Sequence, residues 1–556
     1  MDVSYQPLES PDSPKPLQDV LIQACISNAL LTAFTCEGAE LTFRELAELS
    51  DKFAAWLLRD STLVPGDRVA IQMPNLLQYP VAVLGVIKAG MVVVNINPLY
   101  TAGETEFQLR DSGARVLLIL EDVLPVTSRI LRNTSVEKVI VTGAADLHPW
   151  HLGSLYRIRK FISNRNREPF VFSGKMTFGR VLRRGKKLLD QFSNQVFENE
   201  ATPGADGKDI AVIQYTGGTT GKAKGAMLTH DNLIANLKQV DSVIASRDTP
   251  PGSIVVAPLP FYHIYAFTMN LLYSIYRGYH GVLIPDPRNT DRLVQAIRHR
   301  KIRGFVGVGT LFHVLCKHPE FRELDFSHLT VCTSGGMALS VSTARRWEKL
   351  TGCRILEGYG LTETSPLVAS GKYEDYREGK IGKNTLWTEL RIVDEDGKPL
   401  SAGLAGEIQV RGPQVMMGYW NKPEETRAVL SEDGWLKTGD IGILDEDGYL
   451  AVIDRIKDLI LVSGFNVYPA EVEAHASSHP DIREVAAIGV PVEEGEYVKL
   501  FVISDNPDLT EDEVIQFCRQ GLTPYKVPRK VEFRSALPRS NIGKVLRRQL
   551  RDDQLA

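Results

Sequence analysis

YTGGTTGKAKG, residues Tyr215 to Gly225, begins where an apolar run, IAVIQ (Ile210–Gln214), has just ended. Small, hydroxylated and basic residues packed together suit a backbone that wraps a phosphate. The Walker template G-x-x-x-x-G-K-[ST] almost fits. With Gly221-Lys222 as its GK pair, Thr216 stands where the first glycine belongs and Ala223 where the magnesium hydroxyl belongs. A different kind of phosphate loop is therefore expected at the end of a buried strand.

The flanking sequence alternates strand-like and helix-like stretches. DRVAIQMP, MVVVNINP and ARVLLIL read as strands; LTFRELAELSDKFAAWLL has apolar residues at helical spacing, and YPVAVLGVIKAG reads as a buried helix ending at glycine. After the loop come a helix from His230 to about Ser242, then IVVAPLP, a long apolar helix, GVLIP, GFVGVG and LTVCTSGG. Such alternation predicts an α/β sheet with helices on its faces. From about Leu390 hairpins take over, with acidic-glycine turns in ELRIVDEDGKPL and GILDEDGYLAVIDR. PAEVEAHASSHP and TEDEVIQFCRQGL then read as helices, REVAAIGVP and KLFVISD as strands, enough for a small domain after Arg455.

Length and composition bound the function. At 556 residues the chain holds several units of the usual size, about 150 residues each. A charge of −4 argues against a dedicated nucleic-acid binder. Six cysteines (Cys25, Cys36, Cys316, Cys332, Cys353, Cys518) without a CxxC pair read as reduced thiols of a cytoplasmic protein. The acidic, proline-rich start is unlike a signal peptide, and the longest apolar region is broken by Lys88 and two glycines, so no membrane-spanning helix is expected. Tyr156–Lys187 departs from this balance: eleven Lys/Arg face one acid, Glu168, with Phe161, Phe170, Phe172 and Phe178 between them. It fits either a peripheral contact with the inner membrane or a solvated excursion.

Four more stretches bear on chemistry: EGYGLTETSP (Glu357–Pro366), GWLKTGDIG (Gly434–Gly442), DRIKD (Asp454–Asp458) and PRSNIGKVLRRQL (Pro538–Leu550). Each alone is commonplace. Their order after YTGGTTGxxKG resembles the adenylate-forming superfamily of acyl-CoA synthetases, luciferases and adenylation domains, from about Leu41 to the end. MPNLLQYPVAVLGVIKAGMVVVNINPLYT and DGWLKTGDIGILDEDGYLAVIDRIKDLILVSGFNVYP most resemble bacterial long-chain fatty acid–CoA ligases.

That resemblance implies a large domain of helix-flanked mixed sheets with a β-barrel-like subdomain over 41–455, and a small mobile α+β domain over 456–556. Residues 1–40 match nothing placed. It implies ATP, CoA and a fatty acid as substrates, Mg2+ as cofactor, and a homodimer among the expected assemblies. Thr216, Gly217, Gly218, Thr219, Thr220, Gly221 and Lys224 cradle the polyphosphate. Tyr359, bordered by Gly358 and Gly360, stacks on adenine, with Gly335 and Gly336 at its edge. Thr362 contacts the α-phosphate, Asp440 the ribose hydroxyls, and Arg455 the ribose-phosphate side. Thr219 and Glu363 hold the metal, and Lys544 brings positive charge to the reacting carboxylate and α-phosphate. His263, either a packed core residue or a neighbour of the acyl carboxylate, takes the second role in the family. Lys457 is the hinge and Gly464 faces the pantetheine channel.

Gly218, Ala223 and Ala338 depart from the family's usual serine and prolines while staying small; Leu461 replaces a lysine of several branches. FYHIYAFTMNLLYSIYRGY either lines the acyl side, with Met269, Leu271 and Leu272, or is a buried core helix. The alternatives are a medium-chain or aromatic acid–CoA ligase and a fatty acyl-AMP ligase. The short YGLTETSPLVASGKYEDYREGKIG stretch disfavours the last, whose members carry an insertion. A catalytically silent module is disfavoured because Lys544, Glu363 and Asp440 are all present.

Overall fold

In the computed structural model the described residues are 16–149, 172, 174–192, 207–216, 223–244, 247, 249–462, 465–492, 495–539 and 545–555. They fall into two compact units. The first takes Met1–Glu378, Thr385–Thr388 and Arg411–Gly434; the second takes Gly379–Asn384, Glu389–Val410 and Trp435–Ala556.

The first unit holds two helix-flanked sheets. One runs in the order Gly418–Tyr419, Lys224–Thr229, Ile210–Thr216, Val92–Asn95, Arg68–Gln72, Val116–Leu120, Lys138–Thr142, Lys175–Thr177. Its central strands are parallel and buried along their whole length, which is why they read as unbroken Val/Ile/Leu runs. The expected helices form. Thr42 and Glu45 close a capping box ahead of Phe43–Arg59, and Thr101 and Glu104 do the same for Ala102–Ser112. In the other sheet, Leu367–Ser370, Ile355–Gly360, Val331–Gly335, Ile302–Gly307, Ile254–Ala257, His280–Leu283, Thr32–Cys36 and Ala39–Thr42 follow one another. Thr216 ends a strand of the first sheet, and Gly335 and Gly360 end strands of the second.

Three expectations change. Residues 17–40 are part of the fold: Leu17–Ser27 is a helix, and Thr32–Cys36 and Ala39–Thr42 pair as strands. The described part of the basic segment is likewise built in. Lys175–Thr177 pairs with Lys138–Thr142, and Phe178–Phe192 is a helix whose Phe178 is fully buried against Phe53. Phe172, partly buried, also packs on the core. A Cβ on Gly185 would overlap the Lys52 carbonyl, so this helix lies hard against Phe43–Arg59. The remainder of the segment, including Phe161 and Phe170, lies outside the described residues. Third, the apolar helix is interrupted: Ile264–Ala266 and Tyr273–Arg277 flank a π-helical turn, Phe267–Leu272. Met269, Leu271 and Leu272 are buried in that turn, as in the core-helix alternative.

The second unit contains a sheet of Glu389–Val393, Gly406–Arg411, Leu436–Leu444 and Leu450–Arg455, ending in a 3-10 turn at Ile456–Asp458. Position 455 therefore closes a sheet within this unit. The tail forms a second sheet around the long hairpin of Ile482–Val492 with Gly495–Ser504, and helices Pro469–Ala476 and Glu511–Gly521 supply its core.

Candidate active site

The opening loop joins two paired strands. Thr216 and Lys224 face each other as the last partners of an antiparallel hairpin. Gly217, Gly218, Thr219, Thr220 and Gly221, between them, lie outside the described residues. Both legs are pinned. The Tyr215 hydroxyl donates to Asp111 at 2.7 Å, and Gly225 accepts the Trp420 amide at 2.8 Å. Gly418–Tyr419 pairs with Ala226 and Met227, so Tyr419 stands beside the lysine.

Tyr419 joins the two groups expected to act on phosphate. Its ring lies 5.1 Å from the Lys224 ammonium, and its hydroxyl donates to Glu363 Oε1 at 2.7 Å. Burial, then the Glu363 carboxylate, raises the phenol's pKa, so it stays a donor. Lys224 also pairs with Glu425 at 2.6 Å. Glu363 sits in the turn Thr362–Thr364, where its carbonyl accepts from Met416 at 2.8 Å. A single carboxylate with a neighbouring hydroxyl is an oxygen donor set suited to Mg2+, which completes its shell with water and phosphate oxygens. Among the described residues no group of three His, Cys, Asp or Glu could form a closed metal cage.

Beside this turn lies a glycine floor. Gly335 and Gly358 are register partners on adjacent strands. A Cβ on Gly335 would stand 3.2 Å from the Tyr265 ring, whose hydroxyl bonds Thr333 at 3.0 Å. At Gly360 a Cβ would overlap the Pro366 carbonyl, and Gly336 has φ +76°, which glycine alone adopts cheaply. Tyr359 is buried between them in sequence. His263 opens the helical run that carries Tyr265, and Thr268 of the π turn donates to the Ser365 carbonyl at 2.7 Å. His263, the glycines and the Glu363 turn therefore share one neighbourhood. Burial pushes the His263 pKa down to about 4, so the imidazole is neutral.

Buried amides hold this neighbourhood. Gln214 donates to the Tyr262 carbonyl at 2.7 Å and accepts from Asn95 at 2.9 Å; Asn95 accepts from Tyr79 at 2.7 Å. Asn75 donates to Leu259 at 2.8 Å and accepts from the Phe261 amide at 2.8 Å. From helix His230–Ile244, Asn236 and Gln239 reach the Leu367 carbonyl and Gln414, and Asn232 reaches the Pro413 carbonyl. These bonds fix the segments before His263 and after Glu363.

In the second unit Asp440 is buried and pairs with Arg455, its register partner, at 3.1 Å. Lys457 follows, its pKa pushed down to about 8 by burial and then by Arg455. Asp458 binds Arg551 at 2.7 Å and Arg547 at 3.4 Å, and Arg547 binds Glu473 at 2.7 Å. Gly464 and Lys544 lie outside the described residues.

Sequence reasoning missed Tyr419, Glu425, Gln214 and Asn75. Tyr419 sits on a two-residue strand, too short for any periodicity to show. The amides carry a weak signal: Asn75 in MPN and Gln214 in IAVIQY are polar residues at positions that otherwise read as core.

Lys224 and Glu363 joined through the Tyr419 phenol, with a glycine floor alongside, are the kinds of group that a nucleotide-activating enzyme needs. The comparisons sharpen that class. Residues 27–420 match the AMP-binding enzyme family, and residues 471–544 match its C-terminal domain. The chain belongs to this family, the adenylate-forming acyl-CoA ligases. It is 45% identical to a long-chain-fatty-acid–CoA ligase of Escherichia coli O157:H7, over 98% of this chain and 95% of that one. With the enzyme of the same description from Bacillus subtilis the identity is 38%, over 99% and 96%. Among solved structures, ATP-bound MatB from Rhodopseudomonas palustris matches with TM-score 0.82 at 28% identity, covering 97% of this chain and 99% of that one. The anthranilate CoA ligase AuaEII, in complex with anthranoyl-AMP, matches with TM-score 0.83 at 26% identity, covering 98% and 99%.

Proposed function

We propose that the chain is a long-chain fatty acid–CoA ligase working in two steps at one site. The carboxylate first attacks the α-phosphorus of ATP, releasing pyrophosphate and forming acyl-AMP. The CoA sulfur then attacks the acyl carbon, and AMP leaves. The observation that carries this reading is the likeness to long-chain ligases through both units, over 98% of the chain.

The first step brings an anion to a polyanion, so its barrier falls where positive charge is aimed at the α-phosphate. Thr216, residues 217–221 and Lys224 take the polyphosphate. Tyr359 carries the adenine above Gly335, Gly336, Gly358 and Gly360, and Thr362 meets the α-phosphate. Mg2+ held by Glu363 and Thr219 would neutralise phosphate charge. Lys544 supplies further charge to the carboxylate and the α-phosphate, Asp440 accepts from the ribose hydroxyls, and Arg455 steadies them. His263, neutral, offers an N–H to the acyl carboxylate and takes no proton from the CoA thiol. The small domain 456–556 turns at Lys457 between the steps, and Gly464 then leaves room for pantetheine.

We place the enzyme in the cytoplasm with peripheral contact to the inner membrane through 156–187. The exposed Arg180, Arg183 and Lys187 provide the charge, since Phe172 and Phe178 are used by the core. Among the described residues no helix is long and apolar enough to cross a membrane.

Pyrophosphate release measured over C2 to C18 acids, with and without CoA, tests the function. Release should be strongest with long chains and end in thioester when CoA is present. A preference for short or aromatic acids, or adenylate that CoA cannot consume, would overturn it. In the same assay Lys544→Ala should lose adenylation while still converting pre-made acyl-AMP to thioester.

A further inference from the structure

We propose that Glu425 is a placeholder anion for Lys224: the polyphosphate of ATP must displace its carboxylate, and the carboxylate reclaims the lysine as pyrophosphate leaves. The inference rests on the reading of Lys224 as a polyphosphate ligand, and it gives a role to a side chain outside the phosphate loop.

The contact follows from the fold. Because Gly418–Tyr419 pairs back along Ala226 and Met227, the chain after Trp420 returns beside the base of the phosphate hairpin. The helix Pro423–Val429 then sets Glu425 Oε2 2.6 Å from the Lys224 ammonium. Lys422 stands 3.5 Å from the other oxygen, Oε1. Lys224 is only 20% exposed, whereas Glu425 is 41% exposed. The lysine is thus confined, and its partner is free to withdraw toward Lys422 and solvent.

An ammonium is a compact point charge, and a carboxylate already against it weakens its attraction for a second anion. Lys224, ahead of its neighbours, holds the Glu425 carboxyl below its ordinary pKa, so the competitor is charged at neutral pH. Magnitude decides what such a contact can do. A pair this exposed contributes about 0–1 kcal/mol, enough to alter ligand affinity by up to roughly five-fold without closing the site. A multiply charged polyphosphate displaces it. Product release gains, because the lysine has a charged partner to return to.

The test uses the full-length enzyme, with KM for ATP and half-inhibition by pyrophosphate measured for wild type, Glu425→Gln, Lys224→Met and the double variant. Glu425→Gln should lower KM for ATP about two- to five-fold and lower the inhibitory pyrophosphate concentration by a similar factor, leaving KM for the fatty acid unchanged. Lys224→Met should raise KM for ATP, and adding Glu425→Gln to it should change nothing more. An unchanged or raised KM for ATP in Glu425→Gln, beside a Lys224→Met that does raise it, overturns the placeholder alone. A Lys224→Met with normal KM for ATP overturns both the placeholder and the ligand reading beneath it.

Discussion

The two units hold their site residues by different chemistry. Apart from the Lys224–Glu425 pair, the first unit braces the segments around His263 and Glu363 with neutral groups: Asn75, Gln214, Asn236 and Gln239 bond backbone carbonyls, and the buried imidazoles carry no charge. Around Lys457 the second uses ion pairs, Asp440 with Arg455 and Asp458 with Arg547 and Arg551. A fully satisfied amide network fixes one geometry and is indifferent to pH. An ionic brace is directional too, but it can be remade when other charges approach.

Acid should separate the units, and this is the largest effect expected. Burial holds His230, His263 and His280 of the first unit at about 4, against an ordinary value of 6.5. Their folded pKa is depressed, so on acidification the unfolded chain takes these protons first. The contribution of these three groups is therefore intact above pH 6.5 and lost as pH falls toward 4, while Glu357, raised by burial to about 7, works the other way and offsets part of that loss. Each group at the low end corresponds to roughly 3 kcal/mol. In the second unit Asp458 is also held below its ordinary 3.8: burial alone would raise it, but Arg551 and Arg547 outweigh that. Its contribution is present above 3.8 and disappears only below. Hydrogen exchange followed from pH 7 to 4 should show protection lost in the first unit and kept in the second. Equal loss in both would break the contrast.

Next in size is Arg547→Met, which keeps the stem and removes the charge. Glu473 loses its arginine and Asp458 keeps Arg551. Breaking a buried pair from one side costs about 3–5 kcal/mol. Thermal and denaturant unfolding should show that loss in the second unit, with exchange in the first unchanged. A loss under about 1 kcal/mol would place the network with surface pairs, which contribute little.

How much of this was legible in sequence follows from where each interaction is made. Strands and helices of the first unit read correctly because their apolar periods are local, and capping pairs such as Thr42 with Glu45 are three residues apart. The hairpin that carries Thr216 and Lys224 was legible as a strand running into a Gly/Thr-rich stretch. The ionic brace is another matter: Asp458 and Arg547 are 89 residues apart, and each alone reads as a solvated charge. Tyr419 reaches Glu363 across 56 residues from a strand of two. In the described part of the basic segment, charge hid a helix whose apolar face, Phe178, Val181 and Leu182, is buried. Charge patterning reports the outer face of a helix and says nothing of what the inner face meets.

The smallest effect sharpens the neutral side of the contrast. Gln214→Leu preserves volume closely enough to avoid a large cavity, but it strands two polar groups. The Tyr262 carbonyl loses its donor and the Asn95 amide loses its acceptor. Leaving such groups unpaired costs about 1–3 kcal/mol, and the protein should unfold earlier by that amount. Stability alone would not separate bracing from ordinary packing. The kinetic signature does, because Tyr262 immediately precedes His263 whereas Lys224 and Glu363 are held through Tyr419 and Met416. The variant should therefore lose turnover or affinity for the fatty acid and keep its KM for ATP. Parallel changes toward both substrates would mean that Gln214 supports the unit as a whole and that the amides do not position the acyl side in particular.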